Sequence, residues 1–522
     1  MNIRLTAAGA ALAACTTICA GNGTASLATD SISHNDSIHR ESSLGEVAVV
    51  ARRAGTTRMG GAVNGFNLNR EELFRAACCN LGESFTTNPA VDVSYNDATT
   101  GARQIKLLGL AGTYVQMMTE NMPNFRGAAA PYALGYVPGP WMKGIQVSKG
   151  AASVKNGYEA ITGQINVDYK KPEDEEGIEV NLFGDTKSRI EANADANLHI
   201  NKQLSTEVLM HYENSFENHD DNGDGFYDKP KVEQYNLQNR WLWAGEKYIF
   251  HGGIGALKEH RNGGQTGHRG NDGAELFRIG LDTERYEAYM KHAFIIDRHK
   301  GTNIALMASG SMHMLDAGYG HKTYDVNEKN VYASLVFETN LTKMHNLSAG
   351  LSLNHDYLGQ TVRMVNDKEA SPVRMNEKET VPGIYAQYTF NLDHRLTAMA
   401  GIRADHSSVY GTFVTPRLHL KYMPTDMLTL RLSAGKGYRT PHALAENNYL
   451  LASGRRLVID DLEQEEAWNY GASAALNIPL LGETLKLNAE YYYTRFTAQA
   501  VTDYDTCLLY TSPSPRDRTR SR

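Results

Sequence analysis

Ile145 to Val167 reads IQVSKGAASVKNGYEAITGQINV. Three glycines, Gly150, Gly157 and Gly163, punctuate it. Glycine permits tight turns and close approach of backbones, so the stretch reads as short strands packed against one another. A glycine-rich β-meander in a soluble protein would satisfy the same physics. The rest of the chain decides between the two.

The chain has 522 residues, 41% of them hydrophobic, with a mean hydropathy of -0.44. No stretch approaches the roughly 18 to 20 consecutive apolar residues that a membrane helix needs, which excludes a helical membrane bundle. A membrane β-barrel stays open, because its lipid-facing residues alternate with polar lumen residues. From Gly177 onward the period is two. Ile190, Ala192, Ala194, Ala196, Leu198 and Ile200 alternate with Glu191, Asn193, Asp195, Asn197 and His199. Leu485, Leu487, Ala489, Tyr491 and Tyr493 alternate with Lys486, Asn488, Glu490 and Tyr492, and Leu428, Leu430, Leu432 and Ala434 repeat the theme. Alternation over ten or so residues suits a strand between lipid and a wet lumen better than the shorter strands of a soluble sandwich. The 28 Tyr, against 14 Phe and 4 Trp, fit aromatic girdles at the membrane surfaces. A net charge of -7 argues against a nucleic-acid partner.

With the barrel pattern in place, Ile145 to Val167 resembles the last segment of the plug domain in TonB-dependent outer-membrane receptors, I-x-V-x-x-G-P-x-S-x-x-Y-G-x-x-A-x-x-G-x-I-N-V. Ile145, Val147, Gly150, Ser153, Gly157, Ala160, Gly163, Ile165, Asn166 and Val167 fall on it in register. Ala151 stands where the family has Pro, and Asn156 where it has Tyr. Gly435-Lys436-Gly437-Tyr438-Arg439-Thr440-Pro441 resembles the family's G-x-G-Y-R-x-P barrel motif, and Glu46-Val47-Ala48-Val49-Val50-Ala51-Arg52 resembles a TonB box. A short run of alternating Val with an unpaired backbone can add a strand to the edge of a partner's sheet. Glu46, Val47, Ala48, Val49 and Val50 are therefore the expected TonB-binding residues.

The resemblance implies an all-β transmembrane antiparallel barrel around an N-terminal α+β plug. Residues 1–20 are expected to be an export signal, with Arg4 before the apolar run Leu5 to Ala14. Leu12-Ala13-Ala14-Cys15 also resembles a lipoprotein box, although a barrel gains little from a lipid anchor. Residues 21–59 form a polar periplasmic leader with the TonB box near 46–52, residues 60–171 the plug, and 172–505 the barrel. Roughly 15 strands are expected before Tyr504, against about 22 in the plugged transporters, so the barrel is expected to be incomplete, a C-terminally truncated fragment. Residues 506–522 are expected to be an artefact tail, because Cys507 to Asp517, CLLYTSPSPRD, looks like a translated transposon-type sequencing adapter.

Within the plug, Arg70 to Ala77 is expected to be helical with Asn69 as its cap, and Gln104 to Leu110 and Thr113 to Thr119 are expected to be strands. Ser84 to Val93 resembles a family segment on failed or paired plug strands. Glu120 to Trp141, with Pro123, Pro131, Pro138 and Pro140, is expected to be an irregular functional loop. In the family this loop points outward, which makes Met118, Asn121, Met122, Asn124, Tyr132 and Tyr136 the candidate ligand-binding residues. Met117, Met118 and Met122 carry soft thioethers that would suit copper(I), but methionine is also ordinary core filler. Met312 and Met314 flank His313 but share the apolar face of Ile304, Leu306 and Ala308. Of five cysteines, Cys15 and Cys19 fall in the signal and Cys507 in the tail, leaving adjacent Cys78 and Cys79, which cannot form an unstrained disulfide. Burial as small apolar side chains is the expectation, and a metal-relay pair the alternative.

Asp220-Asp221-Asn222-Gly223-Asp224-Gly225-Phe226-Tyr227-Asp228 matches the front of a calcium loop, with oxygens at Asp220, Asn222, Asp224 and Asp228. The twelfth position, where a bidentate Glu belongs, is Lys231. Calcium is therefore a candidate ligand without its strongest donor, and no cofactor is required. There is no G-x-S-x-G elbow, phosphate loop or redox C-x-x-C, so the chain is not expected to be an enzyme. The family resemblance implies active import of a scarce, bulky solute across the outer membrane: a ferric siderophore, haem or cobalamin. Copper, or another metal ion, taken by the same architecture is the alternative, and a passive channel or adhesin the rival class. The implied partners are the TonB energy-transducing complex of the inner membrane, outer-membrane lipid and a small-molecule or metal-chelate ligand.

Overall fold

The computed structural model describes residues 57–503 apart from 76–78, 87, 89, 175, 268–274, 365–370, 394, 454–455, 460–461 and 481–482, and outside that span only the backbone of 3–5, 8–10, 13–16 and 508–513. Glu46, Val47, Ala48, Val49, Val50 and Cys78 lie outside the described residues.

The N-terminal domain is built on a six-stranded sheet of β1 (Thr57–Arg58), β2 (Gly65–Asn69), β5 (Val115–Thr119), β6 (Met122–Pro123), β7 (Met142–Lys149) and β8 (Gly163–Tyr169), in the order β1-β2-β7-β8-β5-β6. A separate pair is made by β3 (Asp92–Asp97) and β4 (Ala102–Lys106). The stretch that decides the fold forms the centre of the larger sheet: β7 and β8 are antiparallel, with Ile145 opposite Val167 and Val147 opposite Ile165, and all four side chains are buried. Its glycines are there for space as well as for turns. A Cβ on Gly163 would lie 2.3 Å from Leu107 Cδ2 and 2.3 Å from Ser148 O. Gly150 sits at φ 74°, in the left-handed region that favours glycine.

The helix α1 spans Arg70–Arg75, and Asn69 caps it by accepting from the Glu72 N–H at 3.0 Å. Ser84 to Val93 opens in a helical turn at Glu83–Phe85, and strand pairing begins at Asp92. Asn80 starts that turn by accepting from the Glu83 N–H at 3.2 Å, and a side chain that satisfies a local N–H competes with a sheet ladder. Glu120 to Trp141 contains single helical turns at Gly127–Ala129, Ala133–Tyr136 and Gly139–Trp141, as much helix as its prolines allow.

Fifteen antiparallel strands follow, each paired with the next. They are β9 (Gly177–Asp185), β10 (Arg189–His199), β11 (Leu204–Ser215), β12 (Lys231–Ala244), β13 (Tyr248–Gly264), β14 (Arg278–Asp297), β15 (Thr302–Tyr319), β16 (Lys322–Asn340), β17 (His345–Met364), β18 (Val373–Leu392), β19 (Leu396–Ser407), β20 (Gly411–Thr425), β21 (Leu428–Arg439), β22 (Glu465–Leu480) and β23 (Glu483–Ala498). The apolar face is the outer one: Leu198, Ile254, Ile384 and Leu432 are 57%, 64%, 59% and 56% exposed. The polar face points inward and is covered, with Arg240, Glu191, Arg403, Asp405 and Ser348 buried. This inverts the pattern of a water-soluble protein and requires lipid outside. Met312 and Met314 lie on the outer face of β15 while His313 points inward, as the period-two reading expects. Among the described residues no helix is long and apolar enough to cross a membrane.

Connections at one end are short (200–203, 245–247, 298–301, 341–344, 393–395, 426–427), whereas the other end carries 216–230, 265–277 and 440–464. In outer-membrane barrels short turns face the periplasm and long loops face outside.

The inner wall grips the N-terminal domain through charged groups. Arg417 on β20 donates to the carbonyls of Ser153 (3.0 Å), Ala152 (3.2 Å), Tyr158 (3.2 Å) and Ala160 (3.5 Å). The two sequence motifs also meet. A Cβ on Gly435 would lie 2.4 Å from Ala151 Cβ, and one on Gly437 would lie 2.9 Å from Ala160 O. Only glycine lets β21 approach that closely.

Candidate solute-binding site

A cavity of about 470 Å³ opens between the plug and the long-loop end of the barrel. Tyr114, Asn124, Phe125 and Arg126 of the plug form its floor, and Glu446 and Tyr449 of the 440–464 loop cover it. That loop is built into the molecule. Its turn Ala445–Ala452 buries Leu444, Ala445, Tyr449 and Leu451 in the hydrophobic core of the plug. Asn448, fully buried, accepts from Tyr132 Oη of the plug at 2.7 Å and from Tyr319 Oη of β15 at 3.0 Å. Lys322 holds the end of the turn by donating to Leu451 O (3.1 Å) and Ser453 O (2.6 Å). Arg439 pairs with Glu446 and Glu465, and Tyr114 Oη donates to Glu465 Oε1 at 3.1 Å.

His442 anchors the start of the loop with Nδ1 at 2.7 Å from Glu377 Oε2. Burial alone would lower the imidazole pKa, but the hydrogen bond and charge of Glu377, with Glu446 beyond, lift it to about 9. The ring is therefore an imidazolium at neutral pH. Arg126 on the cavity floor pairs with Glu159 of the plug and with Asp356 of β17 at 3.0 Å. Of the lining cations, Arg126, Arg439 and His442 have carboxylate partners, while Arg103 donates to Asn80 Oδ1 at 3.3 Å and to Tyr95 Oη at 2.8 Å.

The six plug residues singled out from sequence spread along the plug. Asn124 lines the cavity. Tyr132 holds the covering loop through Asn448 and is itself 2% exposed. Tyr136 is 3% exposed and packs its ring 6.0 Å from that of His313. Met118 and Met122 are buried at 1% and 3%, Met118 on β5 beside β8 and Met122 against Ala305 and Met307 of the wall. Asn121 sits at φ 63° in the turn after β5. That turn faces the short-turn end of the barrel, where Glu120 binds Arg240 Nη2 at 2.6 Å and Lys291 Nζ donates to Glu120 O at 2.7 Å. Burial would raise the Glu120 pKa, but Arg240 and then Lys291 overcome it and hold the carboxyl below the usual range. The segment expected to point outward as a whole therefore runs from the inner end of the lumen to the outer end. Sequence reading did not find the covering loop, Asn448 or His442. The Gly435 to Pro441 motif immediately before them was the available signal.

The acidic loop after β11 folds on itself. Asp220 accepts from the Asp224 and Gly225 N–H groups at 3.0 and 2.8 Å, and Asp228 accepts from the Asp221 N–H at 2.8 Å. Lys231 begins β12, paired opposite Asn262. Among the described residues no three His, Cys, Asp or Glu side chains come together in a metal-holding group. Cys79 is buried in the plug, and burial pushes its thiol pKa up, which keeps it protonated.

Comparison with known proteins agrees with this geometry. The family described as "TonB dependent receptor-like, beta-barrel" matches residues 209–522. No curated protein sequence matches the chain. Among solved structures, the chain is similar to the siderophore receptor PirA from Acinetobacter baumannii (16% identity, TM-score 0.62, 86% of this chain and 74% of that one). It is also similar to the alcaligin outer-membrane receptor FauA from Bordetella pertussis (12%, 0.65, 90% and 80%) and to the copper transporter OprC (12%, 0.67, 88% and 75%). Identities this low speak to the fold alone. With a barrel of fifteen antiparallel strands around a plug and a family match over more than half its length, the chain belongs to the TonB-dependent receptors, a family of outer-membrane β-barrel proteins.

Proposed function

We propose that this receptor imports a scarce, bulky solute of the ferric siderophore, haem or cobalamin class across the outer membrane, driven by the TonB complex. The observation that carries the reading is the plugged lumen with a cavity of about 470 Å³ on its outer side. A passive channel has no use for a plug tied to the wall by Arg417, Arg240 and Lys291, and an adhesin has no use for a cavity inside its barrel. Solute would bind between Asn124 to Arg126 below and Glu446 to Tyr449 above. Glu46 to Val50, upstream of β1, would be the handle by which TonB pulls the plug. Copper as cargo of the same architecture is the second reading. Of its candidate thioethers, Met118 and Met122 are packed in the core away from the outer cavity and only Met117 lines it, so the three do not converge on one site, which counts against it. Growth of a deletion strain on single sources of ferric siderophore, haem, cobalamin or copper tests the assignment: one source that fails to support growth until the gene is restored names the solute. Growth indistinguishable from the parent on every source would overturn it.

A further inference from the structure

The grip between plug and wall is uneven around the barrel. On β14, Arg285 Nη2 donates to Asn124 Oδ1 at 2.5 Å and Lys291 holds Glu120. On β16, Glu328 accepts from the Ala128 N–H at 3.0 Å and Glu338 pairs with Lys155 at 3.4 Å. On β18 to β20, Gln387 accepts from Ser153 Oγ at 2.7 Å, and Arg403 and Arg417 hold plug carbonyls. Between β14 and β16 lies β15, whose inward side chains include Ala305, Met307, Ser309, Ser311, His313 and Leu315. All of these are small, apolar or neutral. Among the described residues, the side chains from Ala305 to Leu315 make no hydrogen bond to the plug; Tyr319, at the outer end of the strand, binds Asn448 of the covering loop and meets Tyr132 of the plug.

A second cavity, of about 30 Å³, lies on this strand between Met122 of the plug and Ser309 to Ser311 of the wall. That is room for about one water molecule. Further out on the same strand, both ring nitrogens of His313 are buried without a hydrogen-bond partner. Buried polar atoms without partners mark a place that water or a polar solute can satisfy. Asn124 lines both the small cavity and the large outer one, so the two adjoin at that residue. Parting the plug from β15 breaks dispersion contacts of Met122 and hydrates two serines. Parting it from a neighbouring strand leaves buried charges unpaired, which is far more costly.

We infer that solute passes along β15, from the outer cavity past Asn124 and into a seam between Met122 and the Ser309 to His313 face of the wall. The charged clamps on β14, β16 and β18 to β20 keep the rest of the plug against the barrel while the seam opens. This inference rests on the import reading, and the test separates the two.

In the full chain, in outer membranes and with the native cysteines replaced, two reversible tethers are compared. One joins Met122→Cys to Ser309→Cys across the seam, and the other joins Ser153→Cys to Gln387→Cys across a clamped face, each with a short disulfide-forming bifunctional reagent. Energised cells are given four labelled probes: a ferric trihydroxamate, a ferric tris-catecholate, haem and cobalamin. For the probe taken up by untethered protein, the seam tether should lower the uptake rate by about tenfold or more, with recovery on reduction, while the clamp tether leaves it within about twofold. Equal block by both tethers, block by the clamp tether alone, or block by neither overturns the seam. Failure of the untethered protein to take up any probe overturns the import reading, and the seam with it.

Discussion

Arg417 offers the sharpest test of what seats the plug. Its guanidinium is buried, 3% exposed, and holds three plug carbonyls within 3.2 Å and a fourth at 3.5 Å, all in the stretch Ala152 to Ala160. Arg417→Met keeps most of the stem and removes every donor. Each orphaned buried carbonyl costs about 1–3 kcal/mol, but the substitution also relieves the desolvation of the cation, and water can reach some of the freed oxygens. A net loss of about 3 kcal/mol in plug docking follows, a ~100-fold rise in the undocked population. Limited proteolysis of intact outer membranes reads that population directly when opening is fast relative to cleavage. Plug cleavage should rise ~100-fold while the barrel keeps its heat-modifiable migration, and Arg417→Lys should fall between the two. Cleavage within about threefold of wild type would refute the reasoning, since the clamp would then carry no docking energy.

Three further outcomes follow from the same geometry. Glu120→Gln leaves Arg240 and Lys291 without their carboxylate partner, and is expected to destabilise plug docking by about 3–5 kcal/mol in urea titrations monitored by plug proteolysis; no change would remove the latch from the account. His442 has its pKa raised from 6.5 to about 9, so its contribution is complete below the unfolded pKa and is lost as pH rises through about 9. Glu377 is partly exposed, so screening reduces the effect to about 1–2 kcal/mol, and loop 440–464 should become protease-sensitive between about pH 8 and 10 in wild type but show no such step in His442→Gln. For the acidic loop we expect calcium dissociation constants of about 10⁻⁴ M or weaker, and Lys231→Glu, which supplies the twelfth-position carboxylate, should tighten binding at least about tenfold by calorimetry; equal affinity would show that Asp220 to Asp228 does not act as a calcium loop.

The fold was legible because lipid imposes a pattern on sequence that few other solvents do. Ile190 to Ile200 and Leu428 to Ala434 alternate so regularly that the face of each residue could be assigned, and Leu198 and Leu432 point outward as read. The motif Ile145 to Val167 was legible because its glycines answer to steric demands: Gly163 has no room for a Cβ, and Gly435 meets Ala151. Asn69 was legible as a cap because one local hydrogen bond defines it. The candidate site was harder to read. Met118 and Met122 look like ligands in a one-dimensional list and are core residues in space. Asn448 has no local pattern around it, and its two tyrosine partners lie 316 and 129 residues away. A binding site made by a loop folding back onto another domain leaves no period in either segment. The helical turn at Glu83–Phe85 leaves no period to read, because Asn80 starts it with a single side-chain bond.

The central claim is energised import through a TonB-contacted plug. It is tested most directly by the uptake of the growth-identified solute, in labelled form, by cells carrying the full chain and by cells carrying a deletion of Glu46 to Ala51, with surface binding measured on the same cells. The account predicts that the deletion abolishes accumulation inside the cell while binding at the outer cavity stays at the wild-type level. Accumulation by the deletion variant at the wild-type rate would contradict it.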